Sequence, residues 1–286
     1  MKPVSFEYRA PATVDEAASI LAEDPARTTV LAGGQSLLIE LRYRTARPRV
    51  ILDVNQVGGL DGLGVEDESL RIGALVRHAQ LEHLDLDDPV AALMAAAAPS
   101  LAHPPIRARG TFAGSLAYAH PAAEWGALAV ALDATVVLMS SAGERQVPAA
   151  SWFRGPFSTA RRPDELVTSV AVPLLGPGWG VAFSEHRRTH GTFAQVAVLA
   201  AVRIDNGRVR EARLGLAGGA DRPLRATGAE GVLAGAEPHD DLFREAGAAA
   251  AAEADPVAEP HCSVDYRRHL VDVLTRRVLA QAAAWN

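Results

Sequence analysis

Two runs of small residues could bind a ligand with their backbone: Ala32-Gly33-Gly34-Gln35-Ser36 and Thr111-Phe112-Ala113-Gly114-Ser115-Leu116. The first lies between a short β-branched run, Thr28 to Leu31, and a helix opening at Ser36. Glycines there allow positive φ and close approach to a phosphate, and free N–H groups at a helix start favour an anion. A plain tight turn would use the same two glycines. The second run offers two hydroxyls and further N–H groups. Arg107 and Arg109 lie just upstream, but exposed arginines are usually solvated. Glu124 follows on the next helix. Its carboxylate could accept from ribose hydroxyls, or serve the helix dipole as a first-turn acid. The two runs stand about 78 residues apart and together would suit a long ligand with a central diphosphate. Neither fits G-x-G-x-x-G or G-x-x-x-x-G-K-[ST], so Rossmann and P-loop readings fail on pattern.

Other candidates carry less chemistry. Gly215-Leu216-Ala217-Gly218-Gly219 follows a strand without a helix behind it and reads as a strand end. His78, His83 and His103 lack metal-ligand spacing and are expected to be structural, so no metal site is assigned. No Ser-His-Asp order with a nucleophile elbow occurs, and no catalytic acid, base or nucleophile is assigned. His186, Arg187, Arg188 and His190 form a basic run, read as a solvated strand end or a docking patch for a partner. Cys262 is the single cysteine, which excludes an internal disulfide, a CxxC pair and a cysteine-ligated cluster within the chain. It is expected to be inert, in a reducing, cytoplasmic setting.

The elements that must position these groups follow from pattern. Thr13 and Glu16 form a capping box ahead of Val14, Ala17, Ala18 and Leu21, one helical face. With strands at Thr28–Leu31 and Val50–Val54, the first sixty residues read β-α-β-α-β. Helices are expected at 76–84 and 89–102, the latter opening at Pro89, and strands at Ala134–Met139 and Leu166–Val172. The Pro- and Gly-rich 173–180 stretch reads as a domain boundary. Beyond it, Asn206-Gly207 joins two apolar runs as a hairpin, and helices are expected at 226–235, 240–253 and 264–284. The chain has 286 residues, 49% of them hydrophobic and 22% charged, which excludes a mostly disordered chain. A net charge of −6 implies no nucleic-acid affinity. No apolar h-region marks a signal peptide, and no apolar run suits a membrane span.

The pair AGGQSLL and IRARGTFAGSLAYAHPAAEW resembles the two FAD-binding signatures of the medium subunits of molybdenum hydroxylases. That group includes aerobic carbon monoxide dehydrogenase, nicotine- and caffeine-type dehydrogenases and bacterial xanthine dehydrogenase. The resemblance runs from SFEYRAPATVDEAASIL through VILDVNQV, RIGALVRH and RRTHGTFAQVAV to DYRRHLVDVLTRRVL, nearly the whole chain. It implies an α+β fold. A bilobed vanillyl-alcohol-oxidase (PCMH)-type FAD domain would span 1–175, with lobes of about 1–56 and 57–175. A small α+β domain with an antiparallel sheet and helices would span 176–286.

By the same resemblance, Ala32, Gly33, Gly34, Gln35, Ser36 and Leu37 would hold the FAD diphosphate. Thr111, Gly114, Ser115 and Tyr118 would close on the cofactor from the other lobe. Glu124 would stand near the adenosine, Leu166 and Val167 at the isoalloxazine edge, and Phe193 over the ring. Gln35 stands where some related flavoproteins have histidine, so the flavin would be non-covalent. His120 and Thr192 stand where aspartate is more usual. The implied function is an FAD subunit of a heterotrimeric molybdenum hydroxylase, commonly a dimer of heterotrimers. Molybdopterin cytosine dinucleotide would sit on a large subunit and [2Fe–2S] clusters on a small one. A free-standing FAD oxidase or reductase and a flavin-free assembly subunit are the alternatives.

Overall fold

The computed structural model describes residues 2–285. Its first lobe is built as β1 (Glu7–Arg9), α1 (Val14–Glu23), β2 (Thr28–Leu31), α2 (Leu37–Tyr43) and β3 (Val50–Asp53). The strands form a parallel sheet in the order β1-β3-β2. The helix α1 starts where its cap predicts: Thr13 Oγ1 accepts from the Glu16 N–H at 3.2 Å, and the Glu16 carboxylate accepts from the Ala12 N–H at 2.9 Å. Ala17, Ala18 and Leu21 are its buried face.

The second lobe adds β4 (Leu63–Glu66), β5 (Ser69–Gly73), α3 (Pro89–Ala97), α4 (Pro104–Arg107), α5 (Phe112–Tyr118), α6 (Glu124–Ala131), β6 (Thr135–Ser140) and β7 (Gly143–Pro148). After α7 (Ala149–Trp152) come the short strands β8 (Phe153–Gly155) and β9 (Ser158–Thr159), then β10 (Leu166–Pro173). The sheet order β4-β5-β10-β6-β7 puts β10 at the centre, paired antiparallel on both sides. Two helices differ from expectation. The 76–84 stretch is a 3₁₀ helix over His78–His83, because Arg77 is tied back to Gln80 and bridged to Thr111. The 89–102 helix ends at Ala97 and tightens into a 3₁₀ turn at Ala98–Ser100, where Pro99 has no N–H to continue it.

Beyond a connection at 174–178 lie β11 (Trp179–His186), β12 (Val196–Asp205), β13 (Arg208–Ala217) and β14 (Leu224–Arg225). They form one antiparallel sheet, followed by α8 (Thr227–Leu233), α9 (Asp240–Glu253) and α10 (Val264–Ala283). The β12–β13 turn has Asn206 at φ 51° and Gly207 at φ 74°, as a tight primed hairpin turn requires. The strand β12 is apolar on both faces because two cores claim it. Ala197, Leu199 and Ala201 join the core of the second lobe, whereas Val196, Val198, Ala200 and Val202 pack under the C-terminal helices. Every residue of α6 is buried, as expected for a helix enclosed on all sides. A Cβ on Gly215 would stand 2.4 Å from the Ala127 carbonyl oxygen, so glycine is what lets α6 lie directly on β13.

Candidate functional site

A cavity of about 560 Å³ opens between the two lobes and the β11–β12 connection, a volume typical of small-molecule and cofactor sites. All the candidate residues line it: Ala32 to Leu37, Thr111, Gly114, Ser115, Tyr118, Glu124, Leu166, Val167 and Phe193. The two glycine loops face each other directly. A Cβ on Gly33 would stand 2.4 Å from the Arg109 carbonyl oxygen and 2.7 Å from the Gly110 Cα, both backbone atoms. Gly34 takes φ 75°, the left-handed region that glycine enters freely. No hydrogen bond among the described residues uses the backbone N–H of Gly33, Gly34, Gln35, Ser36 or Leu37. Five successive donors, all on residues that line the cavity, are thus without a partner among the described residues.

The second loop is held from behind. Thr111 caps α5, its Oγ1 accepting from the Gly114 N–H at 3.0 Å. A Cβ on Gly114 would meet that hydroxyl at 2.6 Å. The indole N–H of Trp125 on α6 donates to His78 Nδ1 at 2.9 Å, and a Cβ on Gly110 would lie 2.7 Å from the His78 ring. Burial pushes His78 down to about 4, with the Arg107 and Arg77 charges adding to it, so the ring is neutral and structural. Arg107 is not solvated as expected of an exposed arginine. It is buried, paired with Glu82, and donates to the carbonyls of Leu101 and Ala102 at 3.2 Å.

Three residues important to this geometry have no signature in the sequence. Asn55 Nδ2 donates to the Ala32 carbonyl at 2.9 Å and to Asp53 at 2.6 Å. Arg77 Nη2 donates to Asn55 Oδ1 at 2.7 Å, and its Nη1 donates to the Arg109 carbonyl at 2.7 Å. Tyr8 anchors the other oxygen of Asp53 at 2.7 Å. This relay ties one glycine loop to the other across the lobes. Pairing between residues 22 and 32 positions apart on different loops leaves no periodicity to read.

At the cavity mouth His120 stacks on Phe193, centroids 3.7 Å apart and planes 4° from parallel. Tyr118 and Phe157 meet the edge of the group. Burial pushes His120 down to about 4, and its Nδ1 accepts from the Ala122 N–H at 3.1 Å. Glu124 is fully enclosed, and burial pushes its carboxyl up to about 7, with the Glu185 charge adding to the rise. Nearby, Arg187 corrects the picture of a solvated basic run: it pairs with Glu185 at 2.9 Å and donates to the Ser100 carbonyl at 2.6 Å. His186 contacts the Tyr266 hydroxyl, while Arg188 and His190 are exposed.

The family described as FAD binding domain in molybdopterin dehydrogenase matches residues 4–175, the part that holds both glycine loops. The chain belongs to this family. The rest of this FAD-binding subunit, residues 181–282, matches the CO dehydrogenase flavoprotein C-terminal domain. It is similar to the 6-hydroxypseudooxynicotine dehydrogenase complex subunit alpha of Paenarthrobacter nicotinovorans, 37% identical over 99% of this chain and 96% of that one. It is also similar to the carbon monoxide dehydrogenase medium chain of Hydrogenophaga pseudoflava, 31% identical over 100% of this chain and 99% of that one. Among solved structures, a chain of carbon monoxide dehydrogenase from Hydrogenophaga pseudoflava superposes with a TM-score of 0.96 at 32% identity, covering 99% of both chains. A chain of quinoline 2-oxidoreductase from Pseudomonas putida 86 gives 0.92 at 33%, covering 100% of this chain and 99% of that one. The donors present fit FAD. A row of N–H groups without a partner among the described residues belongs to the cavity lining, at a place where glycine keeps side chains out of the way. Among the described residues, no helix is long and apolar enough to cross a membrane, and no cluster of His, Cys, Asp and Glu could hold a metal ion.

Proposed function

We propose that this FAD-binding subunit works within a heterotrimeric molybdenum hydroxylase, collecting electrons from [2Fe–2S] clusters on a small subunit and passing them to an external acceptor. The large subunit would hold molybdopterin and bind the substrate. The observation that carries the reading is the opposed pair of glycine loops, with five free N–H groups on one side. The chain's single cysteine supports the division of labour, since a [2Fe–2S] cluster takes four protein ligands.

FAD, when bound, supplies the ability to accept and release electrons one or two at a time. The chain's part is to bind and orient it. Gly33 to Leu37 would donate to the diphosphate from one lobe, and Thr111, Gly114 and Ser115 would close on it from the other. Glu124 would accept from the ribose of the adenosine half. Leu166 and Val167 would lie against the isoalloxazine, with Tyr118 nearby and Phe193 over the ring. No side chain here takes or gives a proton in a chemical step. The purified chain should release FAD and not FMN on mild denaturation, leaving a colourless polypeptide. It should co-purify with a large molybdenum subunit and a small iron–sulfur subunit, commonly as a dimer of heterotrimers. FMN in the supernatant, or substrate turnover by the lone metal-free chain, would overturn the proposal.

A further inference from the structure

Arg161 is a cation in the wall of the cavity that forms no ion pair among the described residues, although the charges of Glu165 and Asp164 favour its own. Of the lining residues it is the one arginine or lysine, and the lining histidines His78 and His120 are kept neutral by burial. Its Nη1 donates to three carbonyls of its own turn: Arg162 at 3.2 Å, Pro163 at 3.3 Å and Glu165 at 2.8 Å. These bonds pin one edge of the guanidinium. Its Nε and Nη2 donate to nothing among the described residues. Glu165, one of the two carboxylates whose charge favours Arg161, is already taken. Arg145 holds both its oxygens at 2.6 Å, and the Arg162 N–H donates to it at 2.6 Å. Burial opposes the charge on Arg161, yet a guanidinium stays protonated in proteins. A half-buried, pinned cation with free N–H groups is costly for folding and suited to recognising electron-rich oxygen.

Its place says which oxygen. The turn that holds Arg161 leads directly into β10, whose first residues, Leu166 and Val167, line the same cavity. Among the described residues, no hydrogen bond joins Arg161 to either glycine loop. The geometry points to Arg161 as the group that meets the pyrimidine edge of the bound flavin and raises its reduction potential. This rests on the reading above that Leu166 and Val167 lie against the isoalloxazine. Uptake of two electrons and one proton leaves the reduced flavin with one negative charge, held mainly on its pyrimidine half. A fixed cation there stabilises the reduced form more than the neutral oxidised form.

The test is a redox titration of the FAD-loaded full chain against reference dyes, with dithionite as reductant, for wild type, Arg161→Gln and Arg161→Lys. FAD affinity is measured alongside by flavin fluorescence. Arg161→Gln should keep its FAD but lower the reduced-to-oxidised ratio at a fixed potential about tenfold, ~30 mV for two electrons. Arg161→Lys keeps the charge and should restore most of that ratio. Three results overturn the assignment. One is an unchanged potential in Arg161→Gln. Another is a lysine variant as shifted as the glutamine variant, which would trace the effect to the lost carbonyl bonds. The third is a hundredfold loss of FAD affinity in Arg161→Gln with no shift in the FAD still bound, which would move Arg161 to the diphosphate. Should the glutamine variant not fold, the lysine variant decides alone, a tenfold shift counting against the assignment. Wild-type chain that binds no FAD would instead refute the proposed function.

Discussion

Gly33→Ala adds one methyl group at the point where the two glycine loops touch. The new Cβ would stand 2.4 Å from the Arg109 carbonyl oxygen, 2.7 Å from the Gly110 Cα and 3.1 Å from the Arg109 carbonyl carbon. All three are backbone atoms, so no change of rotamer relieves the overlap. Ordinary contact begins near 3.4 Å, so the loops must part by about 1 Å. Parting moves the Arg109 carbonyl relative to Arg77, whose Nη1 now reaches it at 2.7 Å. A bond from a charged donor contributes about 1.5–3 kcal/mol, and overpacking costs about 1–3 kcal/mol. The chain without FAD should therefore lose roughly 2.5–6 kcal/mol in thermal or urea unfolding. FAD affinity should fall at least about a hundredfold, because misplacement by about 1 Å misaligns donors from both lobes at once. The comparison variant is Gly34→Ala. Its Cβ would meet only side-chain carbons, Leu31 Cδ1 at 3.1 Å and Leu38 Cδ1 at 3.2 Å. Its main cost is a left-handed non-glycine residue, about 1–2 kcal/mol. Fluorescence titration of FAD into both apo variants, with parallel unfolding curves, gives the ranking. Wild-type affinity in Gly33→Ala, or a larger loss in Gly34→Ala, would refute the reasoning.

Glu124 should make the stability of the apo chain depend on pH. Burial raises its folded value to about 7 from 4.5, so its favourable contribution is complete below about pH 4.5 and is lost as pH rises through about 7. Unfolding curves should show up to about 3 kcal/mol less stability at pH 8 than at pH 5 from this group, and Glu124→Gln should flatten that slope. Glu124→Ala should weaken FAD about ten- to hundredfold at pH 8, the scale of a hydrogen bond to a charged group; unchanged affinity would leave Glu124 as a helix-start acid. Asn55→Ala and Arg77→Met should each weaken FAD about tenfold or more, and the double variant should lose little beyond the worse single, since both cut one relay. Independent, additive losses would show that the relay does not couple the loops.

Local chemistry was legible wherever neighbours in sequence decide it. The capping box at Thr13 and Glu16 and the Asn206-Gly207 hairpin follow from residues within one turn. The glycine loops were legible for the same reason, since free N–H groups and positive φ are properties of a few successive residues. Only tertiary structure decided that Gly33 and Gly110 touch, that Asn55 and Arg77 join the loops, and that Arg107 and Arg187 are paired instead of solvated. It also decided that Arg161 stands in the cavity wall with no ion pair among the described residues. Each of these is a contact through space between residues whose types do not announce it. An arginine reads alike in sequence whether water, a carbonyl or a ligand meets it, because its partner is chosen by packing and not by spacing.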